Sequence, residues 1–190
     1  MAALRKAGAY SKKYARPYTR ISKKRTKNFI KTNPQKKTVK FNMGNIQDFL
    51  NKRYDTLIRV ISREPIQIRD HAIEASRTTM TRNLDKVIPM QYYFEIKIFP
   101  HHILRENKML TGAGSDRMQT GMQKSFGKTM GRAALVKANQ TIFLFATSGQ
   151  KNIKVIKDQL NVMKSKLPCK TKILIEKVEA VKPTKKVAKK

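Results

Sequence analysis

The chain has a single cysteine, Cys169, so no disulfide can form within it, and a reducing compartment suits it. Acid is scarce: 12 Asp+Glu stand against 43 Lys+Arg, a formal net charge of +31. Twelve scattered carboxylates with no cluster motif argue against a metal-dependent nuclease, which needs several gathered on one site. No stretch approaches the ~20 apolar residues of a membrane-spanning helix, and no basic amphipathic helix of the membrane-surface kind stands out. Met1-Ala2-Ala3-Leu4-Arg5-Lys6 has no apolar run behind its charge, so no secretory signal is expected. Repeats of solenoid period are also lacking.

What the chain has is cationic charge. A compact domain carrying it alone would repel itself. The expected remedy is a polyanion, and phosphate backbone is the usual one, because each docked Lys or Arg releases condensed counterions. The charge is unevenly spread. Residues 1–47 hold 14 Lys or Arg and no acid, and Asp48 is the first carboxylate. Hydrophobic periodicity is poor there, so the segment cannot bury a core of its own. Tyr10, Tyr14, Tyr18, Phe29 and Phe41 are interleaved with the charges. Rings and guanidinium planes stack on unpaired bases while ammonium groups hold phosphates. The segment reads as a basic arm that orders on its partner, and residues 180–190 as a solvated lysine-rich tail.

Between them, residues 48–179 read as one folded domain. Tyr54–Ile61 is rich in β-branched residues, a strand. The spacing of Ile68, Ala72, Ala75, Thr79 and Leu84 predicts a helix over 68–87. Tyr92–Phe99 is a second strand, stopped by Pro100. Residues 101–132 lack a sustained pattern and read as a long loop with five glycines and six basic residues. Ala133–Val136 and Thr141–Thr147 form two strands around a turn. Ile153, Ile156, Leu160 and Met163 predict a helix over 152–166, and Lys170–Val178 is a last strand. Helices separated by strand pairs point to a compact α+β two-layer sandwich with helices on one sheet face.

A long loop inside a compact domain needs a purpose. Gly112-Ala113-Gly114 opens a dinucleotide fingerprint whose third glycine is replaced by Arg117. Gly127-Lys128-Thr129 ends like a phosphate-binding P-loop, but the required first glycine position holds Met122. His101 and His102 are adjacent and have no Cys or further His at metal spacing, so no metal or cofactor is expected. Glu106 and Asp116 have nothing to bring them together, and no Ser-His-Asp or Cys-His context appears, so no catalytic residue is assigned. What the region offers is Arg105, Lys108, Arg117, Lys124, Lys128 and Arg132 among glycines that let a backbone approach phosphate closely.

The run Phe99-Pro-His-His-Ile-Leu-Arg-Glu-Asn-Lys-Met109, then Gly112-Ala-Gly114-Ser-Asp116-Arg117-Met-Gln119-Thr-Gly121-Met122, then Phe126-Gly127-Lys128, resembles a family signature. That family is the large-subunit ribosomal proteins joining bacterial L-sixteen to archaeal and eukaryotic L-ten-e. Arg16-Pro17-Tyr18-Thr19-Arg20 and Phe41-Asn42-Met43-Gly44-Asn45 resemble its archaeal branch. Gln123 stands where the family commonly has a basic residue, and Thr129 where proline often follows Gly-Lys.

The resemblance implies an α/β-hammerhead type domain on large-subunit rRNA, near the A-site tRNA and beside neighbouring ribosomal proteins. It implies a non-enzymatic component of the cytoplasmic ribosome. Lys108, Met109, Gly112, Gly114, Asp116, Arg117 and Gln119 would belong to a mobile loop reaching toward the tRNA acceptor end. His101, His102 and Arg105 would sit at the base of that loop on rRNA. Arg16, Tyr18, Arg20, Lys23, Lys24, Arg25 and Lys27 of the arm, with Lys124, Lys128 and Arg132, complete the expected rRNA-binding set. The rival reading is an assembly factor or RNA chaperone that is not retained in mature subunits.

Overall fold

A computed structural model describes residues 33–106 and 128–178. Its elements run β1 (Asn42–Gly44), α1 (Ile46–Leu50), β2 (Thr56–Ser62), β3 (Ile66–Arg69), α2 (Asp70–Val87), β4 (Tyr92–Ile96), β5 (His102–Glu106), β6 (Lys128–Val136), β7 (Thr141–Thr147), α3 (Gln150–Lys164) and β8 (Thr171–Lys177). Two antiparallel sheets result: a five-stranded one in the order β1-β4-β7-β2-β8, and a three-stranded one in the order β3-β6-β5. Helices and antiparallel sheets share one molecule, so the α+β reading stands.

Alternation builds the main core. Along β2, Thr56, Ile58, Val60 and Ser62 are buried while Leu57, Arg59 and Ile61 are half-covered. β7 is buried on both faces from Ile142 onward, as a central strand should be. The rings of Phe94 and Phe145, directly opposite in the β4–β7 ladder, stack at 4.3 Å. Helix residues Ile73, Met80, Leu84, Ile153, Ile156, Leu160 and Met163 join this cluster, as do Ile66, Ile68, Ala134 and Val136 of the smaller sheet. A smaller cluster of Tyr54, Tyr93 and Ala146, with Phe49 of α1, is separate from this core. Phe49 stacks on Tyr93 at 4.0 Å.

Four expectations are corrected. The helix expected from Ile68 starts at Asp70, because Ile66–Arg69 pairs with Val136–Ala133 of β6 and is drawn into a sheet. The strand expected to reach Phe99 ends at Ile96. Pro100 lacks an N–H, and His101 N–H turns back to the Phe99 carbonyl at 3.0 Å. Residues 101–132 are not loop throughout: β5 and the first half of β6 pair from His102↔Ala133 to Glu106↔Lys128. β1 also lies within the segment read as an arm. Its residues pair with β4, so the folded body begins before Asp48.

The turn out of β1 into α1 depends on glycine. Gly44 has φ +80, and a Cβ there would fall onto the Tyr92 carbonyl oxygen. That carbonyl accepts from the next residue, Asn45 N–H, at 2.9 Å. Asn45 then caps α1: its Oδ1 accepts from Asp48 N–H at 3.2 Å.

Candidate nucleic-acid interface

The β5–β6 ladder is the stem from which residues 107–127 leave and to which they return. Its backbone pairing shifts register between Leu104 and Arg105, the kind of bulge that twists a hairpin and re-aims its end. Ile103, Leu104, Ala133 and Ala134 are buried, so the stem is held by packing as well as by its ladder.

A second basic segment meets this stem. Arg132 of β6 donates from Nε to the carbonyl oxygen of Pro34 at 2.8 Å. From there residues 35–41 run along the body. Thr38 is fully buried, with its hydroxyl 3.5 Å from the Asp70 carbonyl. The Phe41 carbonyl accepts from Ile96 N–H at 2.9 Å. The Phe41 ring stacks on Phe99 at 5.5 Å, and Lys36 Nζ lies 4.9 Å from the Phe99 ring centre. Phe41, one of the aromatics interleaved with the arm's charges, thus secures residues 34–41, a strap, against the body.

Of the expected rRNA-binding residues, His101, His102, Arg105, Lys128 and Arg132 fall on this stem. His101 is exposed. His102 is only 2% exposed, so its ring points into the protein and the pair can meet a partner through His101 alone. Arg105 and Lys128 sit on paired strands near the stem's end. Arg16, Tyr18, Arg20, Lys23, Lys24, Arg25, Lys27 and Lys124 lie outside the described residues, as do Lys108, Met109, Gly112, Gly114, Asp116, Arg117 and Gln119.

The few acids are largely committed internally. Asp48 pairs with Arg53 at 2.7 Å, Glu176 with Arg59 at 3.0 Å, and Glu95 with Lys97 at 2.6 Å. Glu74 holds Arg77 Nε at 2.9 Å. The Arg77 hydrogen bond keeps the Glu74 carboxyl below its ordinary pKa, against the opposing effect of burial. Asp85 accepts from the Tyr92 hydroxyl at 2.6 Å; burial foremost, and then this carboxylate, raise that phenol well above its ordinary range. Glu64 accepts from Lys170 N–H at 3.2 Å, and Asp70 from His71 N–H at 2.8 Å. Exposed cations such as Lys37, Lys40, Lys137 and Lys154 have no ion-pair partner among the described residues. The same residues hold no group of three or more His, Cys, Asp or Glu fit for a metal. No helix among them is long and apolar enough to cross a membrane.

The family described as ribosomal protein L16p/L10e matches residues 17–174. The chain belongs to that family. It is 38% identical over 164 residues to the large ribosomal subunit protein uL16 of Thermofilum pendens, covering 86% of this chain and 91% of that one. The uL16 protein of Sulfolobus acidocaldarius is 36% identical over 174 residues, covering 90% and 93%. That of Methanospirillum hungatei is 40% identical over 144 residues, covering 75% and 82%. These L16p/L10e relatives bear the names of ribosomal proteins and not of enzymes. The family match runs through the strap, the stem and both sheets, so the arrangement around Arg132 lies within the family's own span.

Proposed function

We propose that this chain, a structural constituent of the large ribosomal subunit, binds large-subunit rRNA and shapes the A-site tRNA side of the peptidyl transferase region. The observation that carries the reading is the meeting of strap and stem at Arg132 and Pro34. Two basic stretches far apart in sequence, residues 1–32 and 107–127, thereby attach to neighbouring points of one body. Lys and Arg there supply sequence-independent hold on phosphate, while the folded body supplies placement. His101, Arg105, Lys128 and Arg132 frame the rRNA contact at the base, with Arg16, Tyr18, Arg20, Lys23, Lys24, Arg25, Lys27 and Lys124 extending it. Lys108, Met109, Gly112, Gly114, Asp116, Arg117 and Gln119 face the tRNA. Neighbouring ribosomal proteins are its other partners, and the cytoplasmic ribosome is its location. RNA, not this chain, performs peptide transfer.

Two measurements test this. The chain should remain stoichiometric on salt-washed large subunits; a chain found only on immature particles or free is an assembly factor instead. Deleting residues 108–120 should leave incorporation largely intact while slowing tRNA accommodation or late maturation. Failure of the deleted protein to enter subunits would make the segment an assembly anchor and overturn its tRNA-facing role.

A further inference from the structure

We infer that the outer flank of α3 is a second phosphate-binding surface, formed by Lys154, Lys157 and Lys164 with Asn161 between them. The inference rests on the rRNA-binding reading and extends it beyond the strap and stem. At 3.6 residues per turn, positions 154, 157, 161 and 164 fall on one stripe spanning about 15 Å of helix axis. All four residues are exposed. The buried side of the helix is the row Ile153, Ile156, Leu160 and Met163. The flank toward α2 is marked by Gln159, whose Oε1 accepts from Asn83 Nδ2 at 2.7 Å. The lysine stripe is therefore on the opposite flank, with no helix over it among the described residues.

What sets this stripe apart is that its unpaired cations, which share that state with Lys37, Lys40 and Lys137, are lined up along one helix flank. Arg53, Arg59, Arg77 and Lys97 each hold a carboxylate. No ion pair among the described residues engages Lys154, Lys157 or Lys164. Asp158 is the one acid on α3; it lies next to Lys154 on the helix surface but makes no ion pair with it. Lys164 Nζ donates to Asn161 Oδ1 at 2.9 Å, which holds one ammonium along the stripe. Like charges one turn apart weaken a helix slightly, and a polyanion along the flank relieves that repulsion. A row of flexible ammonium groups with no aromatic or planar reader fits backbone phosphate rather than bases.

The test uses the full chain and in-vitro-transcribed large-subunit rRNA, with binding measured across a salt series. Lys154→Gln/Lys157→Gln/Lys164→Gln should make the slope of log K against log salt shallower by roughly 2 to 3, at 0.7 to 0.9 per released phosphate contact. The triple Lys→Arg variant should retain the slope. Glutamine is nearly as good a helix former as lysine, and thermal unfolding checks that both variants fold. An unchanged slope in the glutamine variant overturns the inference. So does an unchanged slope accompanied by loss from salt-washed subunits, which would assign the flank to a protein neighbour. A flat slope in the unaltered chain would bring down the rRNA-binding reading itself.

Discussion

Arg132 and Pro34 are joined across 98 positions of sequence by one hydrogen bond of 2.8 Å from guanidinium Nε to backbone carbonyl. The bond fastens the strap to the stem, and it uses a residue that the family resemblance marks for RNA. Arg132 thus has a positioning role within the protein, whatever its remaining N–H groups reach.

Replacing it tests that role. Arg132→Ala should lower stability by about 1 to 3 kcal/mol, the range for a hydrogen bond with a charged donor. Hydrogen exchange should become faster at the Ile96 amide, which the Phe41 carbonyl accepts. An unaltered exchange rate at Ile96 would mean that the strap is held by Thr38 and Phe41 alone.

Gly44 offers a sharper test of the β1 edge. Gly44→Ala puts a methyl group against the Tyr92 carbonyl at a φ of +80. A non-glycine residue in that region costs about 1 to 2 kcal/mol before any clash. We expect a loss of at least about 2 kcal/mol in urea unfolding, because the collision is with backbone that cannot rotate away. A loss below about 1 kcal/mol would show that β1 can shift without disturbing β4.

The Glu74–Arg77 pair predicts a pH dependence. The folded carboxyl is held below its ordinary pKa chiefly by the Arg77 hydrogen bond. Its stabilisation is therefore complete above the ordinary glutamate range and is lost as pH falls through the lowered value. Glu74→Gln should be less stable than the unaltered chain near neutrality, and the gap should close on acidification. A gap that is constant with pH would remove ionisation as the cause.

Much of the body was legible from residue order. The β-branched run of β2, the Tyr-Tyr-Phe of β4 and the three-four spacing of α3 each carry their own period. β3 was hidden because Ile68 sits four residues before Ala72, so a strand residue extended a helical pattern. β5 and the start of β6 were hidden for a different reason. His102–Glu106 is short, and Lys128–Arg132 carries a glycine and two cations; each is a strand because the other pairs with it. At the interface, residue type marked Arg132 and the histidines. It could not show that His102 points inward, nor that a proline carbonyl from position 34 would take the Arg132 N–H.

The last rung of the stem carries a further consequence. Glu106 and Lys128 are register partners, so the intervening chain is clamped at adjacent points. Closure entropy rises only slowly with the length enclosed, by about 0.6 kcal/mol per doubling. The hairpin can therefore display a longer or shorter projection at almost constant thermodynamic cost, and its reach can be altered without redesigning the scaffold underneath.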